Sequence, residues 1–187
     1  MKRIFIFIMI FISLNTVALD RLALVIGNAN YQIKSLKNSI NDARDIASSL
    51  EGLGFEVLLV EDANKSDMEL AIRNFVLKMK KSSTSLFFYS GHAVQSNNIN
   101  YLLPIGSIPA ISKNFPEISS DEQIQRLQEE AVSSKNLIDL MSNSNSELNL
   151  IFLDACRNNP IPGDLKNGLA KNPLDKEGSV KNFLISY

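Results

Sequence analysis

Apolar residues fall along this chain as short continuous runs, separated by stretches with helical spacing. Arg21-Leu22-Ala23-Leu24-Val25-Ile26-Gly27 is an unbroken run ending in glycine, which predicts a strand buried on both faces. Ser39-Ile40-Asn41-Asp42 has the serine-x-x-acid spacing of a capping box. Ile40, Ala43, Ile46, Ala47, Leu50 and Leu53 follow on one helical face, and Gly54 closes that helix. Phe55 to Val60 predicts a second strand. A second capped helix starts at Ser66-Asp67-Met68-Glu69, with Ala71, Ile72, Phe75, Val76 and Met79 on one side. Ser85 to Tyr89 predicts a third strand that runs straight into Ser90-Gly91-His92. Val94 to Leu103 reads as a short extension around the turn-rich Asn97–Asn100. Residues 106–121, with Pro109, Pro116 and many serines, read as a surface loop. Helical patterns cover about Asp121–Glu130 and Ser134–Met141, and Leu148 to Leu153 predicts a fourth strand, leading to Asp154-Ala155-Cys156-Arg157. Residues 158–179, rich in Asn, Pro, Gly and Lys, read as a mobile loop before a last apolar run at Phe183-Leu184-Ile185.

Strand and helix alternating in this way predict an α/β fold: a doubly wound, mainly parallel sheet with helices on both faces. Such sheets form their sites at the carboxyl ends of strands, near the point where the strand order reverses. His92 lies just past the third strand and Cys156 just past the fourth. If those strands are neighbours, about 4.8 Å apart, the two side chains emerge together.

Composition sharpens this, because the chain has one His and one Cys among its 187 residues. That excludes a disulfide framework and a Cys/His zinc site. With 19 Lys and Arg against 20 Asp and Glu, no basic footprint for nucleic acid exists. No metal or cofactor is expected. The bland alternative is a satisfied histidine and a buried thiol serving as a small hydrophobe.

The first residues belong to a different layer of organisation. Met1-Lys2-Arg3 is a basic start, Ile4 to Leu14 an apolar run, and Thr16-Val17-Ala18 a small-residue cleavage signal. Residues 1–18 are therefore expected to be a secretory signal peptide, and 19–187 one exported domain, periplasmic or secreted. Membrane contact is expected only if that segment stays uncleaved.

A thiol becomes a strong nucleophile only when deprotonated, and an adjacent imidazole can take its proton. A Cys–His pair then suffices for acyl transfer once backbone N–H groups stabilise the oxyanion; those of Ala93 and Cys156 are the natural donors. No side chain stands out as an orienter of His92, and a backbone carbonyl could serve instead.

Tyr89-Ser90-Gly91-His92-Ala93, followed by Asp154-Ala155-Cys156-Arg157-Asn158, resembles the caspase-like cysteine peptidases, in particular their bacterial metacaspase-related branch. Leu24-Val25-Ile26-Gly27-Asn28-x-x-Tyr31, Asn41-Asp42-Ala43 and Leu53-Gly54-Phe55 match the same pattern, so the resemblance runs from about Arg21 to Tyr187. It implies a caspase–hemoglobinase fold, a Cys156 nucleophile and a His92 general base. It also implies an S1 pocket lined by Asp42, Ser90 and Asp154, and two carboxylates in a cleft favour Arg or Lys as the guest. Taken alone, Asp42 is equally an acid in a first helical turn, Asp154 a backbone cap, and Arg157 a structural or rim residue.

Ala93 stands where the family commonly has glycine. Ser133, Ser134 and Lys135 stand where calcium-dependent metacaspases carry an acidic run, so no calcium site is expected. Only 31 residues follow Cys156, so the chain reads as a fragment or a short form lacking the family's later strands. Lys166, Lys171, Lys176 and Lys181 stud the loop where related peptidases are self-cleaved, or simply solubilise it. Tyr31 and Tyr89 read as core or groove lining.

The leading expectation is a cysteine endopeptidase acting on proteins or peptides after Arg or Lys. The alternative is a catalytically inactive caspase-like module that binds peptides or partner proteins through the same cleft. A flavodoxin-like or receiver-type domain would share the sheet, but no phosphate-cradling loop or acidic phosphoacceptor cluster follows the first strand.

Overall fold

The computed structural model describes residues 20–79, 82–155, 160–161 and 183–186. Five parallel strands form the main sheet: β1 (Arg21–Gly27), β2 (Phe55–Glu61), β3 (Thr84–Gly91), β7 (Leu148–Ala155) and β8 (Phe183–Ser186). Their order is β2-β1-β3-β7-β8. The chain first steps outward from β1 to β2, then crosses back to β3 and continues to β7. Crossovers of one hand must then put the first helix on one face and the later ones on the other.

That is the arrangement found. Helix α1 (Ser39–Gly52) shares a core with Ala23, Val25, Leu86 and Phe88. Helices α2 (Lys65–Met79) and α5 (Ser134–Ser142) cover the opposite face, where Leu24, Ile26, Phe87, Tyr89, Ile151 and Leu153 meet Met68, Phe75, Met79, Leu137 and Met141. The strand order reverses between β1 and β3, so the switch point lies where Gly27 and Gly91 end their strands.

Gly27 is required by close approach. A Cβ there would lie 2.6 Å from the Ala43 Cβ and 2.8 Å from the Ser39 carbonyl oxygen, so a side chain would push the first turn of α1 off the sheet.

A second sheet of antiparallel strands, β4 (Ala93–Ser96), β5 (Ile99–Leu102) and β6 (Val132–Ser133), follows His92. Asn97 and Asn98 both have positive φ, +46° and +63°, and close β4 onto β5 in the two-residue turn that suits the strands' twist. The expected short extension is thus a hairpin.

Three local readings are corrected. Residues 106–121 are not simply a surface loop: α3 (Ser107–Ser112) and the start of α4 (Ser120–Glu130) lie within them. Ile108, Ile111 and Phe115 are buried in a second core with Tyr101, Leu103 and Leu127. Pro109 is tolerated because it sits in the first turn, where its missing N–H has no intrahelical partner to lose. The other two concern caps. Asn38, not Ser39, precedes α1, with no side-chain cap bond, and Ser39 is buried within the first turn. Helix α2 starts at Lys65, and Asn64 accepts the Asp67 N–H through Oδ1 at 3.0 Å in the role expected of Ser66. A true capping box occurs instead at Ser119 and Glu122 of α4.

Candidate active site

His92 follows directly on β3, and its ring is buried. Its Nε2 lies 2.6 Å from the backbone oxygen of Lys34. A carbonyl only accepts, so Nε2 carries the proton, and in the neutral ring Nδ1 is left with its lone pair. Nδ1 is buried and has no hydrogen-bond partner among the described residues. Burial holds the imidazole below its ordinary pKa, and the Lys34 charge acts in the same direction, while the bond to the Lys34 carbonyl opposes them. At neutral pH the ring is therefore uncharged and Nδ1 is free to accept a proton. The orienter that side-chain reasoning could not find is this main-chain carbonyl, presented by a residue with φ of +56°.

The segment between β1 and α1 that supplies Lys34 is tied down by buried polar groups. Asn28 accepts the Ala63 N–H at 2.9 Å and donates through Nδ2 to the carbonyls of Ala63 and Leu103, both at 3.3 Å. Its own N–H donates to the Ser90 carbonyl at 2.9 Å. Asp62, just past β2, accepts the N–H groups of Ala29 and Asn30 at 2.8 and 2.9 Å, and also binds the Asn30 side chain. Charge-assisted bonds of this kind are worth about 1.5–3 kcal/mol each. Three loops at the carboxyl edge are thus fastened together by two side chains.

Two phenols sit under His92. Tyr31 Oη accepts the His92 N–H at 3.0 Å and lies 2.9 Å from the Leu103 carbonyl. Tyr89 Oη donates to the His92 carbonyl at 2.7 Å and lies 3.1 Å from Tyr31 Oη. Burial pushes the Tyr31 phenol up to about 12, so it stays protonated throughout the neutral range. Gly91 makes room for both hydroxyls, since a Cβ there would lie 2.5 Å from Tyr89 Oη and 2.8 Å from Tyr31 Oη. The sequence marks these tyrosines only as core or groove lining; nothing in its pattern shows their hydroxyls as main-chain ligands.

Strands β3 and β7 are neighbours, as the site requires, and Gly91 pairs with Ala155. His92 and Cys156 are the next residues after that pair. Cys156 and Arg157 lie outside the described residues, as do the signal segment 1–18 and the four loop lysines. Ala93 opens β4. Because the Leu103 N–H bonds to the His92 carbonyl, Ala93 and Leu102 form the non-hydrogen-bonded pair, and the Ala93 N–H points away from β5.

Gly27, Ser90 and Asp154 form one row across β1, β3 and β7. Two-residue alternation puts them on the face that α1 covers, and Asp42 lies in the first turn of α1, which packs on Gly27. Ser90 is buried, Asp42 half-buried and Asp154 exposed. The three residues expected to line S1 thus share one face and one end of the sheet. Ser133, in the segment read for calcium, caps α5 by accepting the Asn136 N–H at 3.4 Å.

A family model described as a caspase domain matches residues 20–187. The chain belongs to the caspase family. Members of that family are cysteine peptidases. Over 141 residues the chain is 27% identical to human mucosa-associated lymphoid tissue lymphoma translocation protein 1, and 26% identical to its mouse homologue. Each match covers 75% of this chain but only 15% of the relative. Among solved structures, protein GSU0716 from Geobacter sulfurreducens superposes with a TM-score of 0.53 at 17% identity, covering 75% of this chain and 52% of that one. That likeness is one of fold. The mainly parallel sheet with helices on both faces is the caspase-like architecture.

Proposed function

We propose that this chain is a cysteine endopeptidase in which Cys156 is the nucleophile and His92 the general base, with cleavage after Arg or Lys. The observation that carries the reading is the His92 imidazole. Its Nε2 is committed to a carbonyl, its Nδ1 is buried without a partner among the described residues, and it emerges beside the strand that leads to Cys156. An unpartnered buried nitrogen costs stability, and here a proton from a thiol would satisfy it.

In the reaction, Nδ1 takes the Cys156 thiol proton and the thiolate attacks the carbonyl carbon of the scissile bond. The backbone N–H groups of Ala93 and Cys156 stabilise the resulting oxyanion. The protonated imidazole gives its proton to the departing amine as the C–N bond breaks. Water, deprotonated by the same nitrogen, then hydrolyses the thioester and restores the thiol. Asp42 and Asp154, with Ser90 between their elements, favour a cationic P1 side chain.

The test uses the fact that the chain has one thiol. The alkylation rate of Cys156 is followed against pH in the parent chain and in His92→Ala, together with turnover of peptides bearing Arg, Lys or Asp at P1. The expected result is a thiolate titrating below the ordinary value of about 8.5 that reverts in His92→Ala, with turnover of the basic peptides alone. An ordinary thiol in both proteins and no turnover would leave a binding module.

Export rests on the pattern of residues 1–18 alone, and N-terminal sequencing of the mature protein tests it.

A further inference from the structure

We infer that Tyr31 is the positioning residue for the His92 base, gripping its main chain through the phenol oxygen and bracing its imidazole with the ring. The inference rests on His92 acting as that base.

Among the described residues the imidazole has one side-chain hydrogen bond, from Nε2 to the Lys34 carbonyl. A single bond does not by itself stop the ring turning about its axis, and Nδ1 has no second restraint among the described residues. Tyr89 and the Leu103 N–H hold the His92 carbonyl, and Tyr31 is the residue that touches both the His92 N–H and the imidazole face. Its ring centroid is 4.6 Å from that of His92, with the planes tilted by 53°, so the phenol face limits the swing. Its Oη accepts the His92 N–H, which fixes the backbone from which the imidazole projects. Tyr31 and Lys34 belong to the same segment between β1 and α1, so one loop holds both the root of the side chain and its far nitrogen. That loop is anchored by Asp62. Gly91 shows how tightly the hydroxyls are seated, since they occupy the space that any other residue's Cβ would take. The charges that bear on this assembly are the Lys34 ammonium, which disfavours protonated His92, and the Asp62 carboxylate, which acts on Tyr31.

His92 is the only histidine, so nuclear magnetic resonance of the whole 187-residue chain labelled at His reports this ring alone. The parent should show the Nε2–H tautomer and contacts between the Tyr31 and His92 rings. Tyr31→Phe keeps the ring and removes the acceptor. It should mix the tautomers and lower kcat about tenfold or more with KM within about twofold. Unchanged tautomer and kcat in Tyr31→Phe would overturn the inference. Absence of the ring-to-ring contact in the parent would overturn it too, even if the variant fails to fold. A parent without peptidase turnover would sink the peptidase reading and this inference with it, and a His92 signal that still responds to Tyr31→Phe would then report a purely structural contact. Turnover that ignores the substitution would sink this inference alone.

Discussion

The two faces of the main sheet are built differently. Beneath α2 and α5 the contact is thick: Met68, Phe75, Met79, Phe87 and Met141 are fully enclosed. Beneath α1 it is thinner: small residues of the helix, Ala43 and Ala47, meet Ala23, Val25, Leu86 and Phe88, and at the carboxyl end the contact shrinks to a glycine. A thick face stabilises by the area it removes from water, roughly 25 cal/mol per Å2. A thin face lets a helix approach closely, which brings the first turn of α1, with Asp42, against the row that ends in Ser90 and Asp154. On the proposed reading, stability and recognition are carried on opposite sides of one sheet, with His92 at the edge where they meet.

The largest effect should come from the thick face. Phe75→Ala removes a fully buried ring and should cost about 3–5 kcal/mol in urea unfolding. Cys156 alkylation, measured well below the unfolding midpoint, should barely change. A large loss of thiol reactivity in the folded protein would show that the faces are not separable.

Gly27→Ala probes the thin face. The new methyl meets the Ala43 Cβ and the Ser39 carbonyl, so it should cost about 1–3 kcal/mol. Because the turn it displaces carries Asp42, preference among P1 residues should weaken as well. Adding Ala43→Gly removes one of the two clashes and should recover part of the selectivity. A double variant no better than Gly27→Ala alone would break the link between close packing and recognition.

Both faces were legible in the sequence to different depths. Continuous runs such as Arg21–Gly27 and the helical stripe from Ile40 to Leu50 gave the layers, because burial on two faces or one leaves a periodic trace. That the strands leading to His92 and Cys156 are neighbours followed from the order of elements, and β3 and β7 pair as far as Gly91 and Ala155. The clasp around His92 was not legible. Asn28, Asp62 and the Lys34 carbonyl act over 32 to 75 residues of separation, and neither a backbone carbonyl nor a phenol oxygen has a periodicity. The misplaced caps have a similar cause. Several Ser and Asn residues precede each helix, and choosing among them requires the backbone geometry. Ile108, Ile111 and Phe115 were hidden among prolines and serines because three buried positions make too short a stripe.

Acid should reveal the edge where the faces meet. Burial keeps the His92 pKa below its unfolded value, so the unfolded chain takes up a proton first as pH falls. The contribution of His92 to stability is fully present above about 6.5 and is lost as pH drops through the depressed folded value. Urea midpoints at about pH 7.5 and 5.5 should therefore differ more in the parent than in His92→Gln. Equal differences would mean that the ring is not held in its neutral form.

The smallest effect on stability, and the most selective on function, should come from Asp154→Asn. The side chain is exposed and none of the described hydrogen bonds or ion pairs uses it, so unfolding should shift by no more than about 0.5 kcal/mol. Its carboxylate shares the α1 face with Ser90 and Asp42, and a charge pair to a P1 guanidinium there is worth about 1.4 kcal/mol, or tenfold in kcat/KM. The expected result is a roughly tenfold narrowing of the preference for Arg over an uncharged P1 residue, with Cys156 alkylation unaltered. If Arg and uncharged substrates slow together, Asp154 supports the nucleophile and does not read the substrate. The thin face would then serve catalysis as well as recognition, and the division between the two sides of the sheet would run elsewhere.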